Sequence, residues 1–424
     1  MRMLYNAALI PLRAASVVFG AWPRARESDR LARDQRLGRR LPAIRRGAVW
    51  IHGASVGEAR LSSSLARALR ARRPALPLAA SAVTPAGRAQ LPDPPAIDGA
   101  FYLPLDFPGV QRRAFDALRP GLLALVETEL WPNMLAEAAA RGVPVVLVNA
   151  RLAPERLARY RRLRSLYAPL LEGLAALGAP SPAEGERFAS LGVPARVIRV
   201  LGNLKFDLPR PEVDPAALRS RFGIAPLRPV VIAGSTGEGE DSIVLDAFAV
   251  ARASVPDLML VLAPRHASRF DAAARAVAER RLSLAYLSRA ESAGEADVLL
   301  VDTHGELSDL YALGLAAFVG GSLVPVGGHN LLEPLAAGVP VLFGPHTHHV
   351  VEIAEAVLAC GAGARVADGR ALGRAFAALA ADPEERARRA AAGRGLLEAN
   401  RGANARAAEL VLDVLDRAVP RAPA

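Results

Sequence analysis

Short, wholly apolar runs alternate with stretches of helical length along most of this chain, and the pattern restarts once. Ala48–Ile51, Pro77–Ser81, Gly121–Val126 and Val143–Val148 read as strands, with Ala59–Arg70 and Trp131–Arg141 as helices between them. After Lys205 comes a proline-rich break containing Pro209, Pro211, Pro215 and Pro226, read as a linker with a helix in its midst. Val230–Ala233, Leu258–Ala263, Val298–Val301, Ala317–Val319 and Val341–Phe343 then repeat the strand pattern, with Ser242–Ser254 and Leu331–Ala337 as helices. Strands apolar on both faces and separated by helices require a parallel sheet covered on both sides. The expected fold class is therefore α/β, as two doubly wound domains in tandem, which are expected to leave a ligand cleft at the carboxyl ends of their strands. A chain of 424 residues accommodates two such domains. The expected organisation is residues 1–46 as an N-terminal membrane-associated segment and basic stretch, 47–205 as the first domain and 206–226 as a linker. Residues 227–400 form the second domain and 401–424 a C-terminal helix, the stretch from Asp382 onward being helical throughout.

The N-terminal segment carries much of the charge. Nine arginines and three acids between Ala21 and Trp50 supply +6 of the formal net charge of +11. A basic run beside an apolar segment is drawn to anionic lipid, at about 1 kcal/mol per residue near the surface; a solvated charged face is the other reading. No basic motif interleaved with aromatics points to nucleic acid. Met3–Trp22 is mostly apolar but contains Arg13, which in a spanning helix would cost about 3 kcal/mol near the bilayer centre. An interfacial helix or short anchor is the more economical expectation, and packing of the segment on the domain is the alternative. The single cysteine, Cys360, excludes a disulfide framework and a four-thiolate metal site.

Lys205 is the only lysine among 53 lysine and arginine residues. A compact ammonium is not interchangeable with a planar guanidinium in tight geometry, so Lys205 reads as a place where arginine fails, with chance retention at the domain junction as the other reading. His52-Gly-Ala-Ser-Val-Gly-Glu58 follows a strand and opens a helix, whose N-terminus can hold an anion or an acceptor group. Glu58 can serve there as a general base or simply as a partner of the helix dipole. Glu127-Thr-Glu129-Leu-Trp-Pro-Asn133 places two carboxylates at a strand's end, where capping, turn formation and chemistry are all open. No histidine or further acid accompanies them at metal-ligand spacing, there is no Asp-x-Asp pair, and His346-Thr-His-His349 lacks the other donors a site needs. Ala233-Gly-Ser-Thr-Gly-Glu-Gly-Glu240, Pro264-Arg-His266, Gly320-Gly-Ser-Leu323 and Gly327-Gly-His-Asn-Leu-Leu-Glu333 lie in order at strand ends and fit nucleotide binding. None has the Gly-Lys-Ser/Thr of a P-loop.

Together with Asn149-Ala-Arg151 and Gly202-Asn-Leu-Lys-Phe-Asp207, these strings resemble the 3-deoxy-D-manno-octulosonic acid (Kdo) transferase family, in order from about residue 3 to about residue 400. The resemblance implies a GT-B glycosyltransferase fold of two Rossmann-like domains, with the acceptor domain first. It implies transfer of Kdo from CMP-Kdo to lipid IVA at the cytoplasmic face of an inner membrane, in lipopolysaccharide biosynthesis, with no cofactor or metal. Matched by position, Glu58 falls on the catalytic base, and Glu129 and Lys205 on transition-state stabilisers. Pro264, Arg265, His304, Gly305, Glu306, Asn330, Leu331, Leu332 and Glu333 fall on the CMP site. The chain departs from the pattern at Gly237, where a histidine is expected. A transferase or epimerase using a UDP-sugar would share the architecture.

Overall fold

The computed structural model describes residues 1–9, 27–92, 94–152, 154–208, 213–289, 292–303 and 305–418. The chain divides into two compact units, Met1–Asp207 with Gly402–Ala424, and Leu208–Arg401.

Seven strands form the sheet of the first unit: β1 (Val49–His52), β2 (Leu78–Ala82), β3 (Gly99–Tyr102), β4 (Leu122–Val126), β5 (Val145–Val148), β6 (Ala176–Ala179) and β7 (Ile198–Val200). Their order is β3-β2-β1-β4-β5-β6-β7, and every neighbouring pair is parallel. The period-two alternation of β1 sends Val49 and Ile51 to one face, packed with Leu65 and Leu69 of the helix Val56–Arg72. Trp50 goes to the other, with its ring 5.6 Å from Phe101 and 5.4 Å from Phe115. The helix Ala403–Ala418 returns to the first face and buries Ala407, Val411 and Leu415 there. Asp207 fixes that return by accepting hydrogen bonds from the amides of Gly402 (2.9 Å) and Asn404 (2.7 Å). The stretch expected to be helical throughout is two helices, Pro383–Glu398 and Ala403–Ala418, separated at Gly402, whose φ of +76° no α-helix admits.

The second unit repeats the plan with β8 (Val230–Thr236), β9 (Met259–Pro264), β10 (Leu284–Tyr286), β11 (Val298–Leu300), β12 (Ala316–Val319), β13 (Val341–Phe343) and β14 (Gly363–Arg365). The order is β10-β11-β9-β8-β12-β13-β14, again parallel throughout. Within the stretch read as a linker, the helix Pro215–Arg221 is capped by Asp214, and Phe222 and Ile224 are buried beside Val230 and Ile232. That part belongs to the second core.

Both sheets have a point where connections leave in opposite directions, between β1 and β4 in the first and between β8 and β12 in the second. Open α/β sheets bind ligands at the strand carboxyl ends at such points.

At the N-terminus, the helix Arg2–Ala8 and the helix Glu27–Arg36 belong to the first unit. Gln35 accepts a hydrogen bond from the Tyr102 amide (3.0 Å), tying the second of these to β3. Of the apolar segment Met3–Trp22, residues 10–22 lie outside the described residues. Among the described residues, no helix is long and apolar enough to cross a membrane.

Candidate active site

At the β1/β4 switch point, β1 ends at His52 and the chain turns through Gly53-Ala-Ser55 into the helix Val56–Arg72. A β-carbon on Gly53 would lie 2.7 Å from both the Glu58 carbonyl oxygen and Ser62 Oγ, so only glycine lets strand and helix approach this closely. Ser55 caps the helix, its Oγ accepting from the Glu58 amide (3.3 Å). Glu58 Oε2 accepts in return from the amides of Ala54 (2.6 Å) and Ser55 (3.0 Å). This capping box is worth about 1 kcal/mol. It also immobilises a half-buried carboxylate at the strand ends. Burial, then the charge of Glu129, raises the Glu58 carboxyl above the usual glutamate range; Glu127 adds to this, while the Ser55 and Ala54 amides oppose it.

Opposite it, β4 runs into Glu127, which takes the left-handed conformation (φ +62°) and still donates its amide to the Val148 carbonyl (2.9 Å). Lys205 Nζ lies 2.6 Å from Glu127 Oε1. The turn carrying Lys205 is held by its own asparagines: Asn203 Oδ1 accepts from the Lys205 amide (3.0 Å), and the buried Asn149 Oδ1 accepts from the Leu204 amide (3.0 Å). Two residues past Glu127, Glu129 Oε2 accepts from Trp131 Nε1 (2.9 Å) and faces Nε2 of the buried His52 at 3.7 Å. Glu58, Glu129 and Lys205 are thus brought to one end of one sheet, together with Glu127 and His52. The arrangement joins a carboxyl that binds its proton more tightly than usual to fixed negative and positive charges. That combination suits proton abstraction and the stabilisation of developing charge.

The same loop reaches the N-terminus. Asp106, buried and with its carboxyl raised by that burial, accepts from Tyr5 Oη (2.9 Å) and from the amides of Asn133 (3.0 Å) and Met134 (2.8 Å). Asn133 Nδ2 donates to Asn6 Oδ1 (2.7 Å). The helix Arg2–Ala8 is therefore fixed by Tyr5 and Asn6, leaving Met3 88% and Leu4 66% exposed.

In the second unit, Pro264 closes β9 and Arg265 is exposed just beyond it, its amide donating to the Thr236 carbonyl (3.0 Å). Just before the short helix Leu332–Ala336, Asn330 Oδ1 accepts from the Leu332 amide (3.1 Å), while Asn330 Nδ2 donates to Glu333 Oε1 (3.0 Å). Leu331 and Leu332 are buried, so their side chains serve the core. Gly305 has φ +98°, and Glu306 accepts from Thr303 Oγ1 and lies 3.9 Å from Arg221 Nη2. His304 lies outside the described residues. The glycine loops are clamped by Glu240, a fully buried carboxylate that accepts from the amides of Gly237 (2.7 Å), Gly321 (2.6 Å), Ser322 (2.9 Å) and Leu323 (2.8 Å). His329, beside these loops, is held below the usual histidine range by burial and by Arg265.

Sequence reasoning passed over the roles of Glu240, His52 and Asp106. The last residue of Gly-Ser-Thr-Gly-Glu-Gly-Glu240 was a visible signal for the first. The second was inside a quoted motif, and nothing local marks Asp106.

A family model described as "3-Deoxy-D-manno-octulosonic-acid transferase (kdotransferase)" matches residues 30–208. A 3-deoxy-D-manno-octulosonic acid transferase of Bordetella pertussis is 36% identical, covering 98% of this chain and 99% of its own length. One of Haemophilus influenzae is also 36% identical, over 88% of each chain. Among solved structures, a UDP-GlcNAc 2-epimerase from Neisseria meningitidis has a TM-score of 0.53 at 14% identity, covering 88% of this chain and all of that one. That likeness is one of fold alone.

Proposed function

The chain belongs to the 3-deoxy-D-manno-octulosonic acid (Kdo) transferase family and is a glycosyltransferase of two-domain GT-B fold, and from that premise we propose that it transfers Kdo from CMP-Kdo to lipid IVA with inversion. The observation that carries the reading is Glu58, a half-buried carboxylate held by two amides at the β1/β4 switch point with its proton affinity raised. In the proposed reaction, Glu58 accepts the proton of an acceptor sugar hydroxyl. The oxygen so freed attacks the anomeric carbon of Kdo, and the bond from that carbon to the CMP phosphate oxygen breaks with its electron pair leaving on CMP. Glu129 and Lys205 act on the charge that develops in the transition state.

A CMP leaving group carries a single phosphate, so guanidinium, ammonium and helix-terminal amides suffice and no metal is needed. Pro264, Arg265, His304, Gly305, Glu306 and the 330–333 turn are the proposed CMP-binding residues. The acceptor is a lipid, and the site of action we propose is the cytoplasmic face of the inner membrane. Support comes from the outward apolar side chains of Met3 and Leu4 and from the basic N-terminal stretch.

The test is incubation with lipid IVA and freshly generated CMP-Kdo in detergent, with and without EDTA, and with UDP-sugars as competitors. Mass gains of whole Kdo units from CMP-Kdo, unaffected by EDTA, are expected. Transfer only from a UDP-sugar overturns the donor assignment.

A further inference from the structure

His52 is fully buried at the end of β1, and its two ring nitrogens face different surroundings. Nδ1 lies 3.0 Å from Ser81 Oγ and 3.1 Å from the Ser81 carbonyl oxygen, across the β1–β2 pairing that sets His52 opposite Ser81. Among the described residues Nε2 has no hydrogen-bond partner, and it lies 3.7 Å from Glu129 Oε2. Buried polar atoms without a partner are uncommon enough to call for an explanation.

The proton arrangement follows from the neighbours. Trp50 Nε1 donates to Ser81 Oγ (2.8 Å), so that hydroxyl already accepts one bond and has its own proton to give. The Ser81 carbonyl oxygen already accepts from the Gly53 amide (3.2 Å), so the hydroxyl proton is the one given to His52 Nδ1, which leaves the imidazole proton on Nε2, on the side of Glu129. The opposite tautomer would place an Nε2 lone pair against a carboxylate in buried surroundings, which electrostatics disfavours. Glu129 Oε2 is then bracketed by two ring N–H groups, the indole of Trp131 at hydrogen-bond distance and the imidazole of His52 just beyond it. Contacts of this kind are often long in the unliganded enzyme and tighten when substrate binds.

We propose that His52 is a positioning residue for Glu129: through Nε2–H it fixes the carboxylate in the orientation used in the transition state, and Trp50 and Ser81 set its tautomer. The inference rests on the reading of Glu129 as a transition-state group. Substrate and product do not touch His52, which acts only through Glu129.

The experiment is a kinetic double-mutant cycle on the full-length enzyme. His52→Asn keeps an amide towards Ser81 and presents nothing to Glu129; kcat should fall about 10- to 100-fold with both KM values within about twofold. His52→Gln restores a donor near the Nε2 position and should stay within about threefold of wild type. In an E129Q background, already slowed at least about tenfold, His52→Asn should cost under about twofold more. Undiminished loss in that background, or equal loss from His52→Gln and His52→Asn, makes His52 merely structural and overturns the proposal. Wild-type rate in E129Q alone is a distinct result: it removes Glu129 from the mechanism, and the positioning role with it. Should the histidine variants fold poorly, 15N spectra of the unmodified protein decide, since it has only seven histidines. Protonated Nε2 at His52, perturbed by E129Q, is expected; protonation on Nδ1 alone overturns the proposal.

Discussion

Lys205 Nζ sits 2.6 Å from Glu127 Oε1, so the only lysine of the chain is set against a left-handed glutamate at the end of β4. The site accepts a point charge held by a short turn, with the Lys205 amide bonded to Asn203 and the neighbouring Leu204 amide bonded to Asn149. A guanidinium is broader, planar and fixed in its donor directions. Lys205→Arg is therefore expected to lower kcat at least about tenfold while leaving the melting temperature within a few degrees of wild type. Steady-state kinetics beside a thermal melt checks both halves.

The raised proton affinity of Glu58 has a definite sign in the pH profile. As a base it must be ionised, so kcat/KM should rise with pH through a limb above the ordinary glutamate range. Burial is the largest cause and the charge of Glu129 the next, so E129Q should move that limb towards lower pH. The same shift acts on stability. A carboxyl whose folded pKa is raised stabilises the fold below its unfolded pKa, and the contribution is lost as pH rises through the folded pKa. Glu58→Gln, which cannot ionise but can still accept from Ala54 and Ser55, should thus melt no lower than wild type at neutral pH. Melts across the acid range should show the difference between the two shrinking as pH falls.

Gly237 stands where the resemblance led to an expected histidine. Its φ is not in the left-handed region, and a β-carbon there would meet Glu240 Oε2 at 3.3 Å, Val324 Cγ2 at 3.6 Å and Val326 Cγ2 at 3.8 Å. Only the first contact is tight, and the Gly237 amide bond to Glu240 does not require glycine. Gly237→His should fold with a melting temperature within a few degrees of wild type, because the reduced unfolded-state entropy, about 0.4–1 kcal/mol, offsets the crowding. Donor KM in that variant should fall or stay unchanged. A rise would show that the loop is built around glycine.

Periodicity made most of the architecture legible. Val341–Phe343 is found as expected, and Val145–Val148, Leu122–Val126 and Met259–Pro264 differ from the expected strands only at their ends. Five strands escaped notice: Gly99–Tyr102, Ile198–Val200, Leu284–Tyr286 and Gly363–Arg365 are the edges of the two sheets, Ala176–Ala179 lies next to one, and tertiary pairing makes them strands. Gly402 was readable as a helix break and was passed over, since the alanine and arginine bias on both sides is uniformly helix-forming.

The site was legible as strings and not as pairs. Lys205 stood out because it is unique, and Glu58 and Glu129 through their motifs. That Lys205 meets Glu127, that His52 faces Glu129, and that Tyr5 reaches Asp106 across 101 positions are products of sheet order, which no local pattern encodes. Glu58 also illustrates why motif reading alone left two roles open. It is both the third residue of a capping box and a carboxylate with altered acidity, and the structure assigns both properties to one side chain.

The central claim is that this carboxylate removes the acceptor proton. Single-turnover transfer from CMP-Kdo to lipid IVA by Glu58→Gln, set beside CMP binding by the same variant, tests it most directly. The account predicts transfer slowed at least about a thousandfold with CMP affinity unchanged. Transfer near the wild-type rate in a folded, CMP-binding variant would contradict it and move the base to another residue.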